Sequence, residues 1–196
     1  MDRIPYLVKD DFFNEEELSK IWEEIEFLTD KSFLIPSESM GYTQTPDGKM
    51  LKRNRGVYLT QIYDKNNIHS SPIIECSKKI HNGLLKEYES IEICNRAAKI
   101  VRHNHLLVSY YGDGDHYKPH HDMSVVTVLY WLCKTPKAFD GGDLIFNDTN
   151  EVVEMKNNRM LIFPSWALHS VTPVKMNSDD EKKGRGRYCI SHFLHE

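Results

Sequence analysis

The stretch Tyr110–Asp122, "YYGDGDHYKPHHD", decides how the rest of the chain is read. It ends in two imidazoles and a carboxylate, His120, His121 and Asp122, directly after Pro119. Proline pushes the residue before it towards extended chain. On an extended segment, residues two apart share a face. His120 and Asp122 then point one way and His121 the other. Such an H-x-D unit offers one nitrogen and one oxygen ligand to the same point in space. Alone it is a weak signal, because most such pairs are polar strand ends.

Working outward, short β-rich runs lie at 105–111, 125–133, 143–147, 151–155, 159–164, 168–174 and 187–194. Turn signals separate them, notably "GDGD", "DGG", "NDTN" and "KNN". This spacing predicts an antiparallel sandwich or barrel. The charged run Lys175–Gly186 reads as an exposed hairpin loop. Upstream the pattern is helical. In "NEEELSKIWEEIEFLTD", Asn14 is the expected N-cap, and Leu18, Ile21, Trp22, Ile25 and Leu28 form an apolar stripe. In "SSPIIECSKKIHNGLLKEYES", Ser71 caps and Pro72 takes the first helical position. The intervening Lys31–Arg55 lacks periodicity and reads as a long loop, with 31–57 the expected lid. The fold class is mainly β with flanking helices (α+β), the helices packed outside one sheet. Residues 1–196 are expected to form one domain, with 1–100 as helical support and 105–194 as the β core.

Bulk properties narrow the function. The chain has 196 residues, 40% hydrophobic and 28% charged, which is enough for a real core. A formal charge of −4 gives no global field for nucleic acid. Cys76, Cys94, Cys133 and Cys189 are far apart and form no zinc-ribbon or disulfide pattern. No apolar run suits a signal peptide or membrane span. The expectation is a cytoplasmic protein with neither a nucleic-acid nor a membrane partner; the oligomeric state is not legible.

A third ligand for the H-x-D pair must come from elsewhere. His169, in "FPSWALHSVTPV", sits in a late strand among apolar residues. Two histidines and one carboxylate are the facial set of non-haem Fe(II) oxygenases, which leaves three coordination positions open. A 2-oxo acid fills two of them, and O2 the third. The distal carboxylate of that acid needs a buried cation, and arginine matches it bidentately. Arg187 opens the last strand, "RYCISHFLH", and shares a face with Cys189 and Ser191.

At this point the chain resembles the 2-oxoglutarate- and Fe(II)-dependent dioxygenases, in their prolyl 4-hydroxylase-like branch. The matching pieces are "YYGDGDHYKPHHD", "GGDLIF", "MLIFPSWALHSVTPV" and "GRYCISHF", in the family's order over roughly residues 105–194. The resemblance implies a double-stranded β-helix (jelly-roll, cupin-like) core. It carries iron ligation onto His120, Asp122 and His169, and the distal carboxylate onto Arg187. It places Tyr110 beside the cosubstrate, includes Tyr117 in the signature, and makes Leu144 an apolar wall. Two departures stand out. His169 and Arg187 are 18 positions apart, about twice the family's spacing; the charged loop accounts for the excess, or else Arg185 or Lys175 is the anchor. In "TVLYWLC", Thr127, Leu129 and Trp131 share one face, and Val128 and Tyr130 the other. Thr127 and Trp131 join the candidate cosubstrate contacts, and which of Tyr130 and Trp131 lines the pocket is left open.

The implied reaction is hydroxylation of an unactivated C–H bond, with succinate and CO2 as coproducts and ascorbate keeping the iron reduced. The implied substrate is a prolyl residue of a peptide or protein; a free amino acid or small metabolite is the alternative. Outside this class stand a zinc hydrolase with the same three ligands and a non-catalytic β-barrel binding module. The remaining candidates take bland readings. His116 is a turn histidine. His103, His105, His192 and His195 are edge or core histidines, Trp166 is packing, and "KRNR" (Lys52–Arg55) is a solvated loop.

Overall fold

The computed structural model describes residues 3–40, 45 and 47–196. Its strands are β1 (Leu7–Lys9), β2 (Ile35–Pro36), β3 (Lys52–Arg53), β4 (Arg55–Tyr58), β5 (His103–Tyr111), β6 (His116–His120), β7 (Val126–Leu132), β8 (Leu144–Phe146), β9 (Glu151–Val153), β10 (Arg159–Pro164), β11 (His169–Val171) and β12 (Arg187–His195). Helices α1 (Glu15–Asp30), α2 (Pro72–Ser77) and α3 (Leu84–Glu89) precede the main β region, and α4 (Ser178–Lys182) interrupts it.

The strands form two antiparallel sheets facing one another. One runs β1-β10-β7-β12-β5-β4-β2, the other β3-β6-β11-β8-β9. Strands β5 to β12 pass back and forth between the sheets, with β8 and β9 a hairpin within the smaller one, as in a double-stranded β-helix. Alternation along each strand then divides the core in two. On β7, Val126, Val128, Tyr130 and Leu132 face the helices, while Leu129 and Trp131 face the space between the sheets. On β12, Tyr188, Ile190 and Leu194 face the helices and Cys189 faces inward.

The helices cover the outer face of the larger sheet. Asn14 caps α1: its Oδ1 accepts from the Glu17 amide at 2.9 Å, and the Glu17 carboxylate accepts from the Asn14 amide at 2.8 Å. Ile21, Ile25 and Leu28 then bury against the sheet. Glu24, on the same buried side, accepts from the Ser71 hydroxyl at 2.7 Å and the Ile73 amide at 2.8 Å, which ties α1 to the start of α2.

Three expectations change. The helix expected over 71–90 is broken, because Gly83 turns the chain at φ 99° between a short 3-10 segment and α3. The loop 175–186 contains α4, capped by Asn177. The expected lid, 31–57, contains β2, β3 and part of β4, so "KRNR" is two strand ends rather than a solvated loop. Residues 41–44 and 46 of that lid lie outside the described residues.

Candidate metal and cosubstrate site

His120 ends β6 and His169 opens β11, and the two are direct cross-strand neighbours. Asp122 lies two residues beyond β6, held by its amide donating to the Ser165 carbonyl at 3.1 Å. Potential ligand atoms of His120, Asp122 and His169 all lie within 4.8 Å of one another. The Nε2 atoms of His120 and His169 stand 3.6 Å from opposite oxygens of the Asp122 carboxylate.

Hydrogen bonds fix which nitrogen faces the centre. His120 Nδ1 lies 2.9 Å from the Lys118 carbonyl and His169 Nδ1 lies 2.9 Å from the Ala167 carbonyl. A carbonyl only accepts, so each Nδ1 carries the proton and each Nε2 offers a lone pair. Burial pushes His169 down to about 4, so it is neutral at physiological pH, as a ligand must be. Burial alone would raise the Asp122 carboxyl. His120, His169 and the Thr127 hydroxyl outweigh it and hold Asp122 below the usual carboxylate range. Tyr117 stacks on His120 with ring centroids 3.4 Å apart and fixes its plane.

Beside this triad is a cavity of about 480 Å³, running between the sheets from Arg187 to His195. Arg187 lies at its inner end, 1% exposed. The guanidinium carbon sits 4.7 Å from the Tyr111 ring centroid and 5.5 Å from that of Trp131. Its Nε, Nη1 and Nη2 atoms are all buried without a hydrogen-bond partner among the described residues. A buried, unpartnered guanidinium is costly unless an anion joins it. The Gly141–Gly142 turn makes room for it: both residues have positive φ, and a Cβ on Gly142 would stand 2.7 Å from Arg187 Cδ.

Of the other candidates, Leu144 is fully buried in the cavity wall. Trp131, not Tyr130, faces inward, and it forms part of the bed under Arg187. Thr127 does not reach the cavity. It lies behind the triad and donates to Asp122 Oδ2 at 2.6 Å. Tyr110 is also displaced from its expected place: it packs on Tyr188 on the helix side, and its hydroxyl donates to the Glu181 carbonyl at 3.4 Å. Tyr111 takes the inward position, because it is in register with Arg187. Arg185 is paired with Asp180 and the Pro136 carbonyl, away from the cavity, and Lys175 is exposed beside Asp140.

The sequence reading misses several lining residues. Lys52 is 6% exposed and faces the cavity from β3. Its neighbour Arg53 turns outward to Asp115 at 3.2 Å. His105 and His195 line the outer end, with ring centroids 5.2 Å apart. His121 is exposed at the rim, bonded to the Trp166 carbonyl. His116 stays outside and bonds the Gly114 carbonyl. His192 is buried among the helix-facing residues beside Tyr130.

Comparison with known proteins follows the same lines. Residues 106–195 match the model of the 2OG-Fe(II) oxygenase superfamily. The β core is thus similar to that superfamily. A PKHD-type hydroxylase of Herminiimonas arsenicoxydans is 33% identical over 106 residues, 46% of this chain and 47% of its own. An uncharacterized PKHD-type hydroxylase of Synechocystis is 27% identical over 155 residues, 74% of this chain and 49% of its own. The chain thus spans about half the length of the curated relatives it matches. A crystal structure of a Pseudomonas putida prolyl-4-hydroxylase has TM-score 0.63 at 14% identity, covering 98% of this chain and 93% of that one. A Trichoplax adhaerens prolyl hydroxylase, solved with a hypoxia inducible factor oxygen degradation domain peptide fragment, has TM-score 0.61 at 16% identity, covering 97% and 83%. These structures share the fold. The superfamily implies Fe(II), 2-oxoglutarate and O2, and the site fits them: three convergent neutral or anionic ligands, and a buried cation lacking its anion.

Proposed function

We propose that the protein is a 2-oxoglutarate-dependent hydroxylase of the prolyl 4-hydroxylase type. The observation that carries this reading is Arg187, with three buried nitrogens unpartnered at the inner end of a cavity that also opens on the triad. His120, Asp122 and His169 would hold Fe(II). Arg187 would take the distal carboxylate of the oxo acid, and the phenol of Tyr111, kept neutral by burial, stands beside it as a donor. Iron with 2-oxoglutarate and O2 would supply the oxidising power, the oxo acid ending as succinate and CO2 and one oxygen atom entering the substrate. The protein's own share is orientation and exclusion of water by Leu144, Trp131 and the stacked Tyr117. A hydrolytic zinc site would leave Arg187 without a purpose.

The outer half of the cavity holds the substrate in this reading. Met40, Leu107, Met123 and Phe193 give it an apolar lining suited to saturated carbon. A prolyl residue of a peptide or protein fits that lining, and the shared fold with prolyl hydroxylases supports the choice by analogy. The helices and barrel share one buried cluster, which supports treating residues 1–196 as a single domain. Among the described residues no helix is long and apolar enough to cross a membrane.

The test is succinate release with Fe(II), ascorbate and a panel of proline peptides and free amino acids, read with a mass gain of one oxygen in the substrate. Asp122→Ala is expected to abolish both signals and metal binding. Arg187→Met is expected to keep metal binding and lose 2-oxoglutarate binding. Succinate release that persists in Asp122→Ala overturns the iron assignment.

A further inference from the structure

We propose that Lys52 is a second cation of the 2-oxoglutarate site, sharing the dianion with Arg187. The proposal rests on reading the cavity as a cosubstrate site. Lys52 comes from β3, a two-residue strand beside β6 and outside the eight strands β5–β12. Nothing in its sequence setting, a polar run rich in charge, marks it for burial.

The strand is nonetheless firmly placed. The Lys52 carbonyl accepts from the Ser37 hydroxyl at 2.9 Å, and the neighbouring Leu51 carbonyl accepts from the Lys118 amide at 2.8 Å. Strand alternation sends Arg53 out to Asp115 and Lys52 into the cavity. Its Nζ lies 5.0 Å from the centroid of Tyr117, the ring stacked on His120. Among the described residues the ammonium has no ion pair and no side-chain hydrogen bond.

Three groups feel its charge: Cys189, Asp122 and Arg187. Asp122 belongs to the metal triad, and Cys189 and Arg187 are successive inward residues of β12. Lys52 therefore lines the same cavity as both sides of the gap between the metal centre and the guanidinium, within electrostatic reach of each. That gap is what a chelated diacid must span. Two cations facing one low-dielectric space repel each other unless an anion lies between them. Burial, with Arg187 adding to it, brings the amine down to about 8, which marks the strain that a bound carboxylate relieves.

The experiment uses the full chain loaded with Mn(II), and measures 2-oxoglutarate binding by calorimetry for wild type, Lys52→Met and Lys52→Gln. Loss of one charge-assisted contact predicts about ten- to hundredfold weaker 2-oxoglutarate binding in both variants. Mn(II) affinity should be unchanged or tighter, since a nearby positive charge is removed, and the ligand-free melting temperature unchanged or higher. In wild type, 2-oxoglutarate should also slow amide exchange over residues 51–53, and the variants should lose that protection. Equal 2-oxoglutarate affinity overturns the proposal and leaves Lys52 to the substrate. A parallel loss of Mn(II) binding overturns it too, making Lys52 a support of the triad. Absence of 2-oxoglutarate binding in wild type refutes the cosubstrate reading itself, and only the wild-type arm reports that.

Discussion

Replacing Thr127 by valine should weaken metal binding without opening a hole. The side chain is fully buried, and its hydroxyl donates to Asp122 Oδ2 at 2.6 Å. Valine fills nearly the same volume but has no donor. The Ser165 hydroxyl, 2.9 Å from Thr127 Oγ1, retains Ser124 as a partner at 2.6 Å, so the change strands no second group. What is lost is one short bond to a carboxylate, worth about 1.5–3 kcal/mol. Part of that energy holds Asp122 ionised and part holds its orientation towards both imidazoles. At about 1.4 kcal/mol per decade, metal affinity should fall roughly 10- to 100-fold, the range typical of groups that steady a ligand from behind. Titration of the chain with Mn(II) or Fe(II) under anaerobic conditions measures this directly. Thr127→Ser, which restores a hydroxyl, should recover most of the affinity. If Thr127→Val binds metal within twofold of wild type, the argument that Thr127 acts through Asp122 is wrong.

Gly142→Ala should weaken 2-oxoglutarate binding by displacing Arg187, since the added methyl meets Cδ at 2.7 Å and the residue sits at φ 74°; a calorimetric titration checks it against an unchanged metal affinity. His192, buried and pushed down to about 3 from 6.5, makes the fold sensitive to acid. The unfolded chain binds its proton near pH 6.5 and the native chain does not, so stability falls as pH drops below 6.5, by about 2 kcal/mol at pH 5. His192→Gln should reduce the fall in melting temperature between pH 7 and 5, leaving the share due to His169, and an unchanged slope would contradict the assignment. Asn14→Ala removes the cap of α1 and should cost about 1 kcal/mol, or about 2–4 °C in melting temperature, with 2-oxoglutarate affinity intact.

Much of the barrel is legible in the sequence because its long strands carry enough residues to show a pattern. Strands β5, β7, β10 and β12 each span six residues or more and appear near their expected places. Strands β1 to β4 have two to four residues, too few for alternation to register, and β2, β3 and the start of β4 lie in the segment that reads as loop. Lys52 is missed for that reason. The exchange of Tyr110 for Tyr111 has a different cause. Counting back from His120 passes through the Gly112–Asp115 turn, which does not preserve parity, whereas the pairing of Tyr111 with Arg187 across β5 and β12 does. Parity groups Thr127 with Leu129 and Trp131, but it cannot say how far along a strand the cavity extends.

The triad and Arg187 lie on different sheets: His120 and His169 on the smaller, the guanidinium on the larger. A diacid chelated at one and clamped at the other would act as a strut between two leaves, beside the packing and the few hydrogen bonds, such as Tyr6 to Glu151, that already join them. Loading the site should therefore damp the breathing of the whole sandwich. Resistance to proteolysis far from the chemistry would then become a gauge of occupancy.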